Sequence, residues 1–311
     1  MGDTLRLAYR DHDRTPLLHV IRDQAARFEQ VAVELLHVPD GSEYRNGFLE
    51  GSFELICEHL RFLFPARLEG HPVRCLAATE LTAGDVLVAA QPLRTPADFI
   101  GKRVAVRDQE SALLTLKYWL RSLGVADAVT VTHYTDAQVG RWEQWRAIVS
   151  GDADIALCSP LYLEPALAAS LHVAEVPPLA MIGPLFFATR GPVIDANSDA
   201  LRRFVRAVYR GVHAFRNDPA YTLEMMRQGP AALMGLAGEA AIRTKYEALR
   251  AKVAPKPIPQ PECIANTFHM VCEGYDVGAL EPLSMWDLRY VIELEEERFM
   301  ERLAASAEVH S

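Results

Sequence analysis

Two segments one hundred residues apart share one pattern: Gly51-Ser52-Phe53-Glu54-Leu55-Ile56-Cys57 and Gly151-Asp152-Ala153-Asp154-Ile155-Ala156-Leu157. Each reads as a helix end, a glycine, an acidic residue and a buried strand. A chain that repeats this pattern predicts two similar α/β lobes, each presenting the carboxyl end of a strand. Ligands of open α/β sheets bind at such ends. The length of 311 residues fits two compact units.

The remaining pattern is also α/β. Short β-like runs fall at Leu5–Tyr9, Val31–His37, Phe53–Cys57, Val73–Ala78, Asp85–Ala89, Lys102–Val106, Val129–Thr132 and Ala153–Cys158. Helical patterns alternate with them, over about 17–29, 111–123 and 136–150. At Thr95-Pro96-Ala97-Asp98, Thr95 is placed to cap a short helix, Pro96 suits its first position and Asp98 completes a capping box. Ser198 is expected to cap a long helix whose apolar positions Leu201, Val205, Val208, Val212 and Phe215 keep the helical period. Trp286–Leu303 reads as one last amphipathic helix.

Composition excludes several classes of function. Lys and Arg number 32 against 41 Asp and Glu, a net charge of -9. A nucleic-acid binder needs a basic face, so no nucleic-acid partner is expected. The first twenty residues carry charges every few positions and hold no apolar core of an export signal. The longest apolar stretch, Pro177–Ala188, contains Gly183 and three prolines and is too short to span a bilayer. A cytoplasmic protein without membrane insertion is expected. The five cysteines are odd in number and form no CxxC, which points to buried thiols rather than a disulfide framework or zinc knot. No Walker loop, GxGxxG, HExxH or GxSxG occurs.

The paired lobes and the run Thr95–Val106 together resemble the type II periplasmic-binding-protein superfamily, above all the solute-binding proteins of nitrate, sulfonate and thiamine-precursor uptake. The resemblance implies an α/β, two-lobe fold with a ligand cleft between lobes. Residues 1–92 and 190–311 would form a discontinuous first lobe, and 93–189 the second. A further likeness, to the 4,5-dihydroxyphthalate decarboxylase branch, rests on short matches. These are Asp11 and Asp13 with Thr15, then Glu58, then Thr95–Asp98 with Gly101–Val104, then Gln109 with Ser111.

Candidate site residues cluster after the strands. Arg10-Asp11-His12-Asp13-Arg14 follows the first strand. Arg10 or Arg14 suits a substrate carboxylate, since guanidinium offers a matching fork of donors. Asp11, His12 and Asp13 suit proton transfer or a divalent metal. A solvated charged loop is the plainer alternative. In Cys57-Glu58-His59-Leu60-Arg61, Cys57 reads as a buried structural thiol, while Glu58, His59 and Arg61 emerge at the rim. Arg107, Gln109, Ser111 and Ser159 are the second-lobe candidates for ligand contact, with Ser111 also placed to cap a helix. Trp142 and Trp145 read as packing residues.

Two functions follow. The first is an enzyme, a decarboxylase or related lyase of a hydroxylated aromatic acid. Its catalytic groups are His12, Glu58, His59, Asp11 and Asp13, and its substrate contacts are Arg10, Arg14, Arg61, Arg107, Gln109, Ser111 and Ser159. No cofactor is evidently required, and a divalent metal is compatible. The alternative is a non-catalytic ABC-transporter-type binding protein for a small organic anion, sulfonate or pyrimidine. Either way the partner is a small anionic or aromatic molecule.

Overall fold

The computed structural model describes residues 4–57, 62–140 and 142–308. The chain forms two compact units, one of Met1–Leu81, Ile182–Ala265 and Gly274–Ser311, the other of Thr82–Met181 and Asn266–Glu273. These boundaries differ from 92 and 190 for a structural reason. Strand Val86–Ala89 pairs with Ile155–Cys158, so it belongs to the second unit. Strand Phe186–Arg190, which the sequence reading missed, pairs with Val73–Ala78 in the first.

The first unit holds a mixed sheet of five strands in the order β2-β1-β3-β10-β4. These are β1 (Thr4–Tyr9), β2 (Ala32–His37), β3 (Leu55–Cys57), β4 (Val73–Ala78) and β10 (Phe186–Arg190). β1, β2 and β3 are mutually parallel, and β10 runs antiparallel to both β3 and β4. Thus β1, β3 and β4 all end at one edge of the sheet. The helix Thr15–Gln24, with Pro16 in its first turn, packs on the helix Gly191–Asn217. Gly211 permits the close approach, since a Cβ there would stand 2.5 Å from Cγ1 of Ile21. Leu17, Ile21, Leu201, Phe204, Val208 and Phe215 are buried in this core. Each such side chain contributes about 1.5–3 kcal/mol on leaving water.

Two helical expectations are corrected here. The run Gly191–Asn217 is two helices joined across a kink at Asn197 (φ -129°, ψ 29°), so the long helix does begin at Ser198, but with Ser198 as its first residue rather than its cap. The Ser198 hydroxyl instead meets the Tyr290 hydroxyl at 3.0 Å. The final helix is two, Arg289–Glu296 and Phe299–Glu308, separated at Arg298 with φ 51°.

The second unit holds another mixed sheet of five strands, β7-β6-β8-β5-β9. These are β5 (Val86–Ala89), β6 (Arg103–Arg107), β7 (Thr130–Tyr134), β8 (Ile155–Cys158) and β9 (His172–Val173). β6 is parallel to β7 and β8, and β5 opposes β8. Alternation assigns the faces. Leu87, Val104, Val106, Ile155 and Leu157 pack with Leu116 and Trp119, while Val88, Ala105, Ala156 and Cys158 pack with Trp145 and Ala166. Both faces are covered, as parallel strands require. The expected helix over 136–150 is broken into single turns, Asp136–Val139 and Arg146–Val149. Gly140 and Trp142 adopt φ 95° and 63° between them. That backbone region ends a right-handed helix.

The echoed segments fold alike. Gly51 and Gly151 both turn the chain with positive φ, 96° and 81°. Glu54 then accepts hydrogen bonds from the backbone N–H and the guanidinium of Arg6, and Asp154 does the same with Arg103. The acidic residue of the repeat therefore ties each unit's incoming strand to the strand beside it.

Candidate functional site

The loop leaving β1 sits at the carboxyl edge of the first sheet, and its members have separate tasks. The Arg10 guanidinium lies over Gly41 and donates to the carbonyl of Pro39 at 3.4 and 3.3 Å. Asp11 is exposed. The His12 ring stands 4.1 Å from that of His37 and 6.3 Å from that of Tyr9, centroid to centroid. His37 Nε2 contacts the carbonyl of Arg10 at 2.8 Å, while His12 Nδ1 is buried with no described partner. Asp13 accepts from Lys245 Nζ at 2.6 Å. The carbonyl of His12 accepts from the Thr15 hydroxyl at 2.5 Å, which closes the turn.

Arg14 differs from its neighbours. Its side chain is 12% exposed, and its buried Nε has no described hydrogen-bond partner. Nη1 stands 4.0 Å from Oε1 of Glu80, too far for a hydrogen bond. Burial opposes the charge on Arg14, but Glu80 foremost, then Cys57, Asp11 and Asp13, outweigh it and hold the guanidinium firmly protonated. Since β3 and β10 lie between β1 and β4, Arg14 reaches over the end of β3 toward Glu80. Glu80 follows β4, its side chain only 4% exposed. Its carbonyl accepts from Gly183 N–H at 2.9 Å, and Thr79 donates both N–H and hydroxyl to the carbonyl of Leu185.

Cys57 ends β3, wholly buried beside Phe187 of β10. All five cysteines are buried and outside any disulfide. Burial pushes the Cys158 thiol up to about 12, against the opposing pull of the Trp145 N–H. Glu58, His59 and Arg61 lie outside the described residues.

The second-unit candidates form their own group at the carboxyl edge of the second sheet. The Arg107 guanidinium is held bidentately by Asp136, donates to Gln109 Oε1 at 2.6 Å and lies 4.2 Å from the Trp142 ring centroid. Its charge is therefore answered within the unit. The Trp142 ring in turn stacks on Tyr162, 6.4 Å away, so Trp142 is a platform for Arg107 as well as a packing residue. Gln109, not Ser111, occupies the cap position, and Ser111 lies in the first turn of Glu110–Ser122. Ser159 is buried and directly precedes the turn Pro160–Tyr162. A cavity of about 570 Å³ touches Tyr134, Gln138, Glu143, Arg146 and Asp152, but Arg146 already bonds Glu143 and Ser150 bonds Asp152.

Two residues that sequence reasoning missed stand out. Glu80 stands two residues beyond the strand Val73–Ala78, a carboxylate just past a strand end as Glu58 is after β3. Gln144 is wholly buried, and among the described residues neither its amide atoms nor the neighbouring Trp145 indole N–H has a hydrogen-bond partner. A single amide between two tryptophans carries no periodic signal. Among the described residues no group of three or more His, Cys, Asp or Glu is arranged to hold a metal ion, and no helix is long and apolar enough to cross a membrane.

Two mixed sheets carried on a chain that leaves the first unit, builds the second and returns define a type II periplasmic-binding-protein-like fold. The chain belongs to the NMT1/THI5-like family, whose pattern matches residues 28–222, more than half its length. Solved structures agree on the fold. The periplasmic sulfonate-binding protein SsuA of Methylobacillus flagellatus KT is 16% identical, with 96% of each chain covered and a TM-score of 0.67. The aliphatic sulphonate binding protein SsuA of Escherichia coli is 18% identical over 88% of this chain and 87% of its own, with a TM-score of 0.63. A mutant of the desulfurization enzyme DSZB in complex with biphenyl-2-sulfinic acid is 13% identical over 96% of this chain and 100% of its own, with a TM-score of 0.60. No protein of curated function matches the sequence.

Proposed function

We propose that the chain binds a small organic anion of the sulfonate or carboxylate class, as the ligand-binding component of an ABC-type uptake system. The observation that carries this reading is Arg14, a nearly buried guanidinium at the carboxyl edge of the first sheet whose Nε–H has no described acceptor. A guanidinium fork matches two oxygens of such an anion. A buried donor left unanswered costs about 1–3 kcal/mol, so an acceptor arriving with the ligand is favoured there. The fold shared with sulfonate-binding proteins supports the reading.

The experiment is a thermal melt of the full chain against ethanesulfonate, benzenesulfonate, propanoate, benzoate and phthalate. A ligand that binds only the folded form at 100 times its Kd stabilises by about 2.7 kcal/mol. At least one anion is expected to raise the Tm saturably, and Arg14→Gln to remove the shift while leaving a cooperative melt. A Tm unmoved by the whole panel would end the proposal.

The decarboxylase reading has less behind it. None of the relatives above is named for that activity, and of its proposed proton donors Glu58 and His59 lie outside the described residues. His12, whose buried Nδ1 has no described partner, is the observation left in its favour. Release of carbon dioxide from 4,5-dihydroxyphthalate by the same preparation, lost in His12→Asn, would replace binding with catalysis as the function.

A further inference from the structure

We infer that the ligand brings a nitrogen-borne hydrogen-bond donor to Glu80 together with the anionic group it brings to Arg14. This rests on the reading of Arg14 given above. The Glu80 side chain is 4% exposed, and among the described residues no side chain or backbone N–H donates to its carboxylate. Arg14, at 4.0 Å, is its nearest described cation and makes no hydrogen bond to it. A carboxylate this enclosed that has no protein donor takes its hydrogen bonds from water or from a ligand.

The carboxylate is also held in place. The Glu80 carbonyl accepts from Gly183 N–H at 2.9 Å, and a Cβ on Gly183 would stand 2.5 Å from Glu80 Cβ and 2.7 Å from Oε2. Glu80 therefore lies flat against a backbone that only glycine leaves open. Lys245 is engaged by Asp13 and does not offset this charge. Arg14 thus faces more negative than positive groups, with Glu80, Asp11 and Asp13 all acting on it. A ligand that is only an anion would set its charge beside Glu80. A ligand with an N–H a few bonds from its anionic group turns the same carboxylate into a charge-assisted acceptor. Arg14 and Glu80 then read two neighbouring groups of one molecule, and Glu80 selects against plain anions.

Matched pairs test the inference by calorimetric titration of the full chain. The probes are ethanesulfonate against 2-aminoethanesulfonate, and propanoate against 3-aminopropanoate. The aminated member of at least one pair is expected to bind at least tenfold more tightly. Glu80→Gln, checked for a cooperative melt, is expected to shrink that ratio to about twofold. Plain anions that bind as tightly as their aminated partners overturn the role of Glu80 and leave Arg14 as the anion anchor. Binding by no member of either pair, with the panel of anions above also silent, overturns both. Should Glu80→Gln fail to fold, the wild-type ratio alone decides.

Discussion

The Glu54 carboxylate takes three hydrogen bonds from Arg6, one from the backbone N–H at 2.9 Å and two from the guanidinium at 3.1 and 2.7 Å. Burial alone would raise the Glu54 carboxyl above its usual range, but these bonds and the Arg6 charge hold it below. A depressed carboxyl contributes stability above its unfolded value of about 4.3 and loses it as pH falls through the folded value. Glu54→Ala is expected to cost about 1–2 kcal/mol at neutral pH, read as a lower urea midpoint with unchanged slope. The cost should vanish in acid, where the wild-type carboxyl is protonated too. An equal loss at every pH would refute the electrostatic account.

His19 gives the complementary dependence. Burial, helped by the charge of Arg22, lowers its pKa to about 4. Between about 6.5, the unfolded value, and that folded value, the unfolded chain takes up a proton that the folded chain refuses. Stability from this group is therefore present above 6.5 and lost as pH falls toward 4. His19→Gln is expected to flatten the stability curve over that interval. A slope identical in wild type and variant would show that His19 titrates normally in the folded chain.

Gln144 makes a third test. Its amide is buried with neither atom partnered among the described residues, and replacing such a group by an apolar one of similar shape removes a desolvation cost. Gln144→Met keeps the length of the side chain without the amide. The ligand-free variant is expected to be more stable by about 1–2 kcal/mol, a Tm rise of about 2–8 °C. A lower Tm would mean that water answers the amide in solution.

What was legible in the sequence was local. The short apolar runs Val104–Val106 and Ile155–Leu157, each preceded closely by a turn glycine at Gly101 or Gly151, read as buried strands, and both are buried in the second sheet. Thr95 and Asp98 form the box their spacing predicts, with Asp98 accepting from the Thr95 N–H and hydroxyl. The acidic residue of the echoed segment is legible as a repeat, although its partners, Arg6 and Arg103, are not. Phe186–Arg190 escaped notice because Phe186–Thr189 are buried without a break, so no alternation marks them. The 136–150 stretch misled because its composition is helical while Gly140 and Trp142 take up a backbone region that interrupts helices. The pairing of Arg14 with Glu80 is long-range. Only the strand order brings the ends of β1 and β4 within one side chain's reach, and no spacing in the chain encodes it.

The division of the chain also bears on how the molecule is made. Lys117 and Arg121 of the second unit find their carboxylate in Glu273, and the Tyr118 hydroxyl donates to the carbonyl of His269. The first sheet likewise joins β3 to β4 only through β10. On a translating ribosome the second sheet therefore emerges entire while the first still lacks its linking strand. The second unit then waits for Glu273, which is made long after its own last strand, before its last ion pairs form.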